Sequence, residues 1–427
     1  MIEIADLKSA VQTVLPQADH LFKEIGQRTK VGSGICRPPY GEGEQVAADV
    51  LAATARRMDL EVESDWAGNL YMTYPGTAAN ASRYVLGSHL DSVPQGGNFD
   101  GLAGIVAGLS TVAALQHAGL RLRHGVTVMG IRAEENAWFG AQHIGSRVAL
   151  GIFEPELLDS ARRIDTGRTL GEHIVEAGFD IRPIQKRTRY FGPGQIKAYI
   201  ELHIEQGPLL ESRAYPVGVV TGIRGNVRCA EGVCVGRYDH SGTVPRELRK
   251  DAVMAAAQLA IEMDALWQRW LEEGRDLVLT FGKFTTDPAA HSLTTIPGEV
   301  RFSFDARSHS TDVLAAVKAE LLSHADEIGL RRGVEFKFGR FSQGEPAAMT
   351  DSLRRRLAEG ATELEIPFVE MASGAGHDAA DFALAGVSTA MIFVRNANGS
   401  HNPAEDMRIE DFGLGVELLL WLLTRSE

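Results

Sequence analysis

Gly87-Ser88-His89-Leu90-Asp91-Ser92-Val93, followed by Gly96-Gly97-Asn98-Phe99-Asp100-Gly101, is the stretch on which the fold turns. Ahead of it stands Tyr84-Val85-Leu86, a short apolar run that reads as a buried strand. Behind it, residues 101–117 are small and apolar, which suits a buried helix. A buried strand, a glycine-rich loop and a buried helix in that order form the unit of a layered α/β domain. Residues 126–131 read as a second buried strand. Helices are expected near the N-terminus, where Ile4, Leu7, Val11 and Leu15 recur at three- and four-residue spacing, and over 43–58. Asp65-Trp66-Ala67-Gly68-Asn69 reads as a hairpin turn leading into Leu70-Tyr71-Met72.

From about residue 217 the texture changes. Strands are expected at 217–223, 227–235, 277–284 and 300–306, with helices at 247–271 and 311–328. Buried-strand character returns at 368–370 and 390–394. The expectation is an α/β catalytic domain with a mixed sheet flanked by helices, made of 1–216 and 335–427. A smaller α+β domain, 217–334, interrupts it.

Composition narrows the function. The chain has 427 residues, 44% hydrophobic and 23% charged, as soluble globular proteins do. Lys+Arg 43 against Asp+Glu 56 gives a net charge of -13, which repels phosphate backbones and argues against nucleic acid. No apolar stretch is long enough to span a membrane. The start, MIEIADLKSAVQ, does not read as a secretory leader. The 3 cysteines, Cys36, Cys229 and Cys234, form no CxxC motif and suit a reducing compartment, so a cytoplasmic protein is expected.

The opening stretch also carries chemistry. His89 sits just past a strand end, where open α/β sheets place ligand sites. Its imidazole suits zinc and similar metals. Asp91 is placed to accept a hydrogen bond from the other ring nitrogen. Asp100, in a glycine-rich loop, can turn inward and bridge two cations. Glu134-Glu135 follows another strand, and such a buried pair needs a cation nearby. One can then ligate while the other acts as a base. His203, in Glu201-Leu202-His203-Ile204-Glu205-Gln206-Gly207-Pro208, and His401, in Gly399-Ser400-His401-Asn402-Pro403, also follow apolar runs. A lone histidine beside a strand is usually structural; histidines and carboxylates recurring at strand ends point to a metal hydrolase. The glycine-rich loop lacks GxGxxG and GK[ST], which excludes a phosphate cradle.

The segments GSHLDSVPQGGNFDGLAG, AEEN, ELHIEQGP, GHDA and SHNPAED occur here in order. Together they resemble the hydantoinase–carbamoylase family of dinuclear metal amidases, which includes N-carbamoyl-L-amino-acid hydrolases and allantoate amidohydrolases. The resemblance implies two divalent metal ions per subunit, zinc first, with manganese, cobalt or nickel as alternatives. His89 and His203 would hold one, Glu135 and His401 the other, with Asp100 bridging and Glu134 as general base. It implies a homodimer in which His240 completes the partner's site, although Asp239-His240-Ser241-Gly242-Thr243-Val244-Pro245 matches the family's HAGTTP only in part. Arg307 would clamp a substrate carboxylate, and Gln206 and His377 would face the substrate. Thr294 stands where the family has asparagine.

His117 and His143 are expected on helices, structural or exposed, and His291 and His309 on the surface. The function implied is hydrolysis of the N-carbamoyl group of a small amino-acid-like substrate. Allantoate hydrolysis, N-acyl-amino-acid deacylation and dipeptide cleavage are the alternatives. A metal- or ligand-binding protein without turnover would show the loss of the base or a ligand, and none is lost.

Overall fold

The computed structural model describes residues 2–78, 81–192 and 194–425. Two compact units divide them: one built from residues up to Thr221 and from Ala348 onward, the other from Gly222–Ala347.

The first unit holds a mixed sheet flanked by helices. Its central strands are Thr389–Val394, Ile196–Ile204, Arg83–His89 and Val126–Ile131, adjacent in that order and parallel. Leu70–Tyr74, Glu61–Ser64 and Val217–Ile223 add antiparallel strands at the two sides. Side chains alternate across the sheet. Ala198, Ile200, Leu202 and Ile204 join Tyr84 and Leu86 in the main core. Tyr199, on the opposite face, stacks on Phe382 of the helix Asp378–Leu384, with ring centroids 3.9 Å apart. The helix Leu102–His117 is buried nearly all round, because it packs between the sheet and the helices Ile4–Arg28 and Ile409–Arg425.

The expected hairpin forms, with Ser64 paired to Leu70. Asp65 closes it: Oδ1 accepts from the backbone N–H groups of Ala67 at 2.9 Å and Asn69 at 3.0 Å. Asn69 in turn fastens the loop after Val126–Ile131, accepting from Arg132 N at 3.0 Å and donating to Gly145 O at 2.9 Å. Buried Arg132 pairs with Glu44 at 2.7 Å. That loop carries Glu134 and Glu135, so the hairpin and the ion pair set the base of the site.

The second unit is an α+β body. Gly225–Val235 and Glu299–Ser308 pair antiparallel at its centre. Val278–Thr280 and Phe284–Thr286 flank the latter, while Glu335–Phe338 and Phe341–Gly344 flank the former. The helices Ala252–Glu272 and Thr311–Arg332 supply Leu259, Met263, Val317 and Leu321 to its core, against Cys229, Cys234, Phe302 and Phe304. This corrects the sequence-based boundaries of 217 and 334. Val217–Ile223 pairs with Thr389–Val394 in the large sheet, and the two strands after 334 pair with Gly225–Val235. A strand's partner decides its domain, and the apolar run of 217–223 carries no mark of that partner. Among the described residues, no helix is long and apolar enough to cross a membrane.

Candidate metal centre and active site

The four central strands run the same way, so their C-terminal ends share one edge of the sheet. His89 ends one of them and His203 lies one residue from the end of another. Glu134 and Glu135 follow Ile131 closely, and His401 lies in the loop after Val394. Parallel strands thereby bring together residues three hundred positions apart, such as Asp100 and Ser400.

Asp100 is the centre. Its Oδ1 lies 3.4 Å from His89 Nε2 and 3.2 Å from His203 Nε2. Its Oδ2 lies 3.3 Å from His401 Nε2, which is also 3.3 Å from Glu135 Oε1. His89, Asp100 and His203 present ligand atoms within 4.8 Å of one another, and so do Asp100, Glu135 and His401. Both buried imidazoles turn Nδ1 to backbone carbonyls, His89 to Asp91 O at 3.1 Å and His203 to Ile204 O at 2.8 Å. That fixes the tautomer with Nε2 lone pairs facing Asp100. Asp100 Oδ1 is buried and accepts no well-directed hydrogen bond. Lone pairs aimed at a common space, among buried carboxylates, are the donor set of a cation site. The residues present fit divalent metal ions.

The surroundings hold Asp100 in place. Gln206 Nε2 donates to Oδ2 at 2.9 Å, and Ser400 Oγ shares its one proton between Oδ2, also at 2.9 Å, and Glu405. Glu405 accepts from the backbone N–H groups of Phe99 at 2.9 Å and Asp100 at 3.2 Å, and from Ser400 Oγ at 2.5 Å. Gly101 adopts φ +70, and a Cβ there would stand 2.5 Å from the His89 ring. Only glycine combines that backbone with that approach.

Asp91 is placed differently from the expectation. Its carboxylate accepts from the backbone N–H groups of Glu134 and Glu135, each at 3.0 Å. The His89 ring nitrogen bonds instead to the main-chain oxygen of Asp91 and stands 3.6 Å from its Oδ1. Asp91 thus orients the glutamate pair as much as the histidine. Burial raises Glu135 to about 7. Burial also raises Glu134, but the His143 imidazole at 3.2 Å and the nearby His89 together more than offset it and hold Glu134 below the usual range.

His143 was expected on a helix, structural or exposed. It precedes the helix Ile144–Ala149 in left-handed conformation, is buried, and joins Glu134 to Asp381. No local pattern distinguishes a loop histidine facing solvent from one facing a carboxylate. Glu201 was also passed over: it is buried and takes hydrogen bonds from Ser88 Oγ at 2.7 Å and Ala379 N at 2.9 Å. His377 is 2% exposed, bonds to Ser373 Oγ at 2.9 Å, and packs edge-on to His203 with ring centroids 4.5 Å apart. Burial, then the nearby His203, holds it well below the usual histidine range. His377 thus stands directly behind His203, closed off from solvent. Gln206 Oε1 is buried without a hydrogen-bond partner.

The remaining expected residues lie in the second unit. His240 pairs with Thr295 in a two-stranded ladder, and Ser241 N donates to Thr294 O at 2.9 Å, so His240 and Thr294 are neighbours. His240 is exposed and accepts from Gly242 N at 3.1 Å. Arg307 ends near Asp305, Nη2 to Oδ2 being 3.1 Å.

The model of peptidase family M20/M25/M40 matches residues 85–425. The chain belongs to this family. It is 34% identical over 422 residues to an N-carbamoyl-L-amino acid amidohydrolase of Geobacillus stearothermophilus, covering 96% of this chain and 100% of the relative. It is 32% identical to an allantoate amidohydrolase of Escherichia coli (strain K12), covering 98% of each. A crystal structure of a hydantoinase/carbamoylase family amidase from Burkholderia multivorans superposes with a TM-score of 0.87 at 30% identity, covering 96% of this chain and 98% of that one. The resemblance seen in the motifs and the family membership therefore agree.

Proposed function

We propose that this member of the family is a dinuclear amidohydrolase that removes the carbamoyl group from the nitrogen of a small amino-acid-like substrate. The observation that carries the reading is Asp100, whose two oxygens face two different sets of nitrogen and oxygen donors. His89 and His203 would complete one site, and Glu135 and His401 the other, with zinc first among the candidate metals and manganese, cobalt or nickel as alternatives. When bound, such cations polarise an amide carbonyl and supply water of lowered pKa near neutral pH.

The chain's own residues do the rest. Glu134 takes a proton from the attacking water and returns it to the leaving amine nitrogen. Gln206, with Nε2 committed to Asp100, offers Oε1 to a substrate N–H. Arg307 receives the substrate carboxylate in place of its neighbour Asp305, and Thr294 lies beside His240 to shape that end. His240 of a second copy would stabilise the oxyanion, which makes the working unit a homodimer. The free cysteines fit a cytoplasmic setting.

A panel of N-carbamoyl-L-amino acids, allantoate, N-acetyl-L-amino acids and dipeptides, each with zinc, manganese, cobalt and nickel, tests the reading. N-carbamoyl substrates are expected to turn over fastest. Allantoate is the second reading, on the strength of the Escherichia coli relative. Faster cleavage of dipeptides or N-acetyl compounds overturns both.

A further inference from the structure

Glu134 belongs to a chain of three groups drawn from separate segments. Its Oε1 lies 3.2 Å from Nε2 of His143. Nδ1 of the same ring lies 2.8 Å from Oδ2 of Asp381, on the helix Asp378–Leu384. An imidazole between two carboxylates must donate from both nitrogens, or lone pairs face each other on one side. With Nδ1–H serving Asp381, an N–H on Nε2 is what turns the contact with Glu134 into a bond. Burial pulls His143 down, and the hydrogen bonds with Asp381 and Glu134 outweigh it, so the ring stands well above the usual histidine range.

The backbone is shaped for this ring. His143 adopts φ 56 and ψ 37, a conformation that costs a non-glycine residue about 1 kcal/mol or more. Its N–H donates to Glu134 O at 2.8 Å, which folds the loop back and sets the ring beside the Glu134 side chain. Gly376 leaves room beside Nε2, where a Cβ would stand 3.2 Å away.

We propose that His143, anchored by Asp381, is the positioning residue of Glu134, holding Oε1 so that Oε2 is the oxygen that handles the proton. The proposal rests on the reading of Glu134 as general base. As water's oxygen bonds to the carbonyl carbon, Oε2 accepts one of its protons. As the C–N bond breaks, the same proton passes to the amine nitrogen. Glu134 ends as it began, and His143 neither gains nor loses a proton over the cycle. Because His143 is buried and acts through Glu134, its loss acts on kcat and leaves KM in place. Misplacement of a reacting group by about 1 Å costs roughly 100-fold in rate.

The test compares wild type, His143→Leu, His143→Gln, Asp381→Asn and Glu134→Gln, all loaded with the same metal. The substrate is the N-carbamoyl-L-amino acid that the panel shows to be turned over fastest. Bound metal by elemental analysis and Tm are read beside kcat and KM. His143→Leu is expected to lower kcat about 100-fold, with KM within about twofold and bound metal equal to wild type. His143→Gln, whose amide N–H can reach Oε1, is expected to recover about tenfold of that loss. Asp381→Asn should fall between, because Asn accepts from Nδ1–H without holding the ring's charge.

Wild-type kcat in His143→Leu overturns the proposal. So does a kcat loss matched by loss of metal or Tm and not relieved in His143→Gln, because the residue is then only structural. Glu134→Gln separates the two readings. If it stays active, the base assignment fails and the positioning role fails with it. If it is inactive while His143→Leu is not, only the positioning role fails. A wild type that acts on no member of the panel removes both.

Discussion

On the proposed reading, Asp100 holds cations and Glu134 moves a proton, and substitution can separate the two. Glu134→Gln keeps every ligand atom around Asp100, so bound metal should stay at the wild-type level while turnover falls by about 100-fold or more. His89→Ala removes a ligand nitrogen 3.4 Å from Asp100 and should lose metal as well as activity. Elemental analysis of both variants checks the division; equal metal loss would count against it. Asp100→Ala should lose metal from both sites, since its oxygens face both donor sets, whereas Glu135→Ala or His401→Ala should lose mainly one ion. Equal loss across the three would mean a single-metal centre. At this scale the sequence was largely legible. His89, Asp91 and Asp100 are separated by short spacings in one loop, and proximity in the chain is proximity in space. The orientation of each carboxylate was not legible, and Asp91 shows it, because its acceptors serve N–H groups more than forty residues away.

At the scale of elements, the loop between Arg83–His89 and Leu102–His117 carries the most constraint. Gly101→Ala places a methyl 2.5 Å from the His89 ring on a backbone with φ +70. Strain and collision together should destabilise the fold by about 1–3 kcal/mol. They should also turn His89 away from Asp100, so metal affinity falls. Tm with and without added zinc checks both effects: a variant whose Tm and zinc-induced shift equal those of wild type would contradict the geometry. The strand, loop and helix of this unit were readable from their apolar runs and glycines. The strand Val217–Ile223 was readable as a strand but not as a member of the large sheet. Alternating or continuous apolar character reports burial; it does not report which neighbour does the burying.

At the scale of the whole molecule, the proposed homodimer makes a quantitative forecast. His240→Ala and Glu134→Gln are each expected to be inactive alone. In a mixed dimer, the His240→Ala subunit keeps its own Glu134 and borrows His240 from the other copy, so one complete site forms. Random exchange makes about half of the dimers mixed, with one working site in two, and about a quarter of wild-type activity should return. A kinetic assay of the co-expressed mixture measures this quarter, and the mixed dimer purified through two different tags should show about half of wild-type activity. Mixed dimers without recovered activity, or a fully active monomer, would exclude the exchange.

The sequence by itself determined the α/β class, the presence of an inserted α+β body and the residues that meet at Asp100, because those rest on local periodicity and on motifs a few residues long. Tertiary structure alone decided where the insert begins and ends, since that follows from which strands pair across the sheet. It alone decided that His143 and Asp381, separated by 238 positions, meet beside Glu134. Such a contact depends on the order of strands and the path of a loop, and no spacing along the chain encodes either.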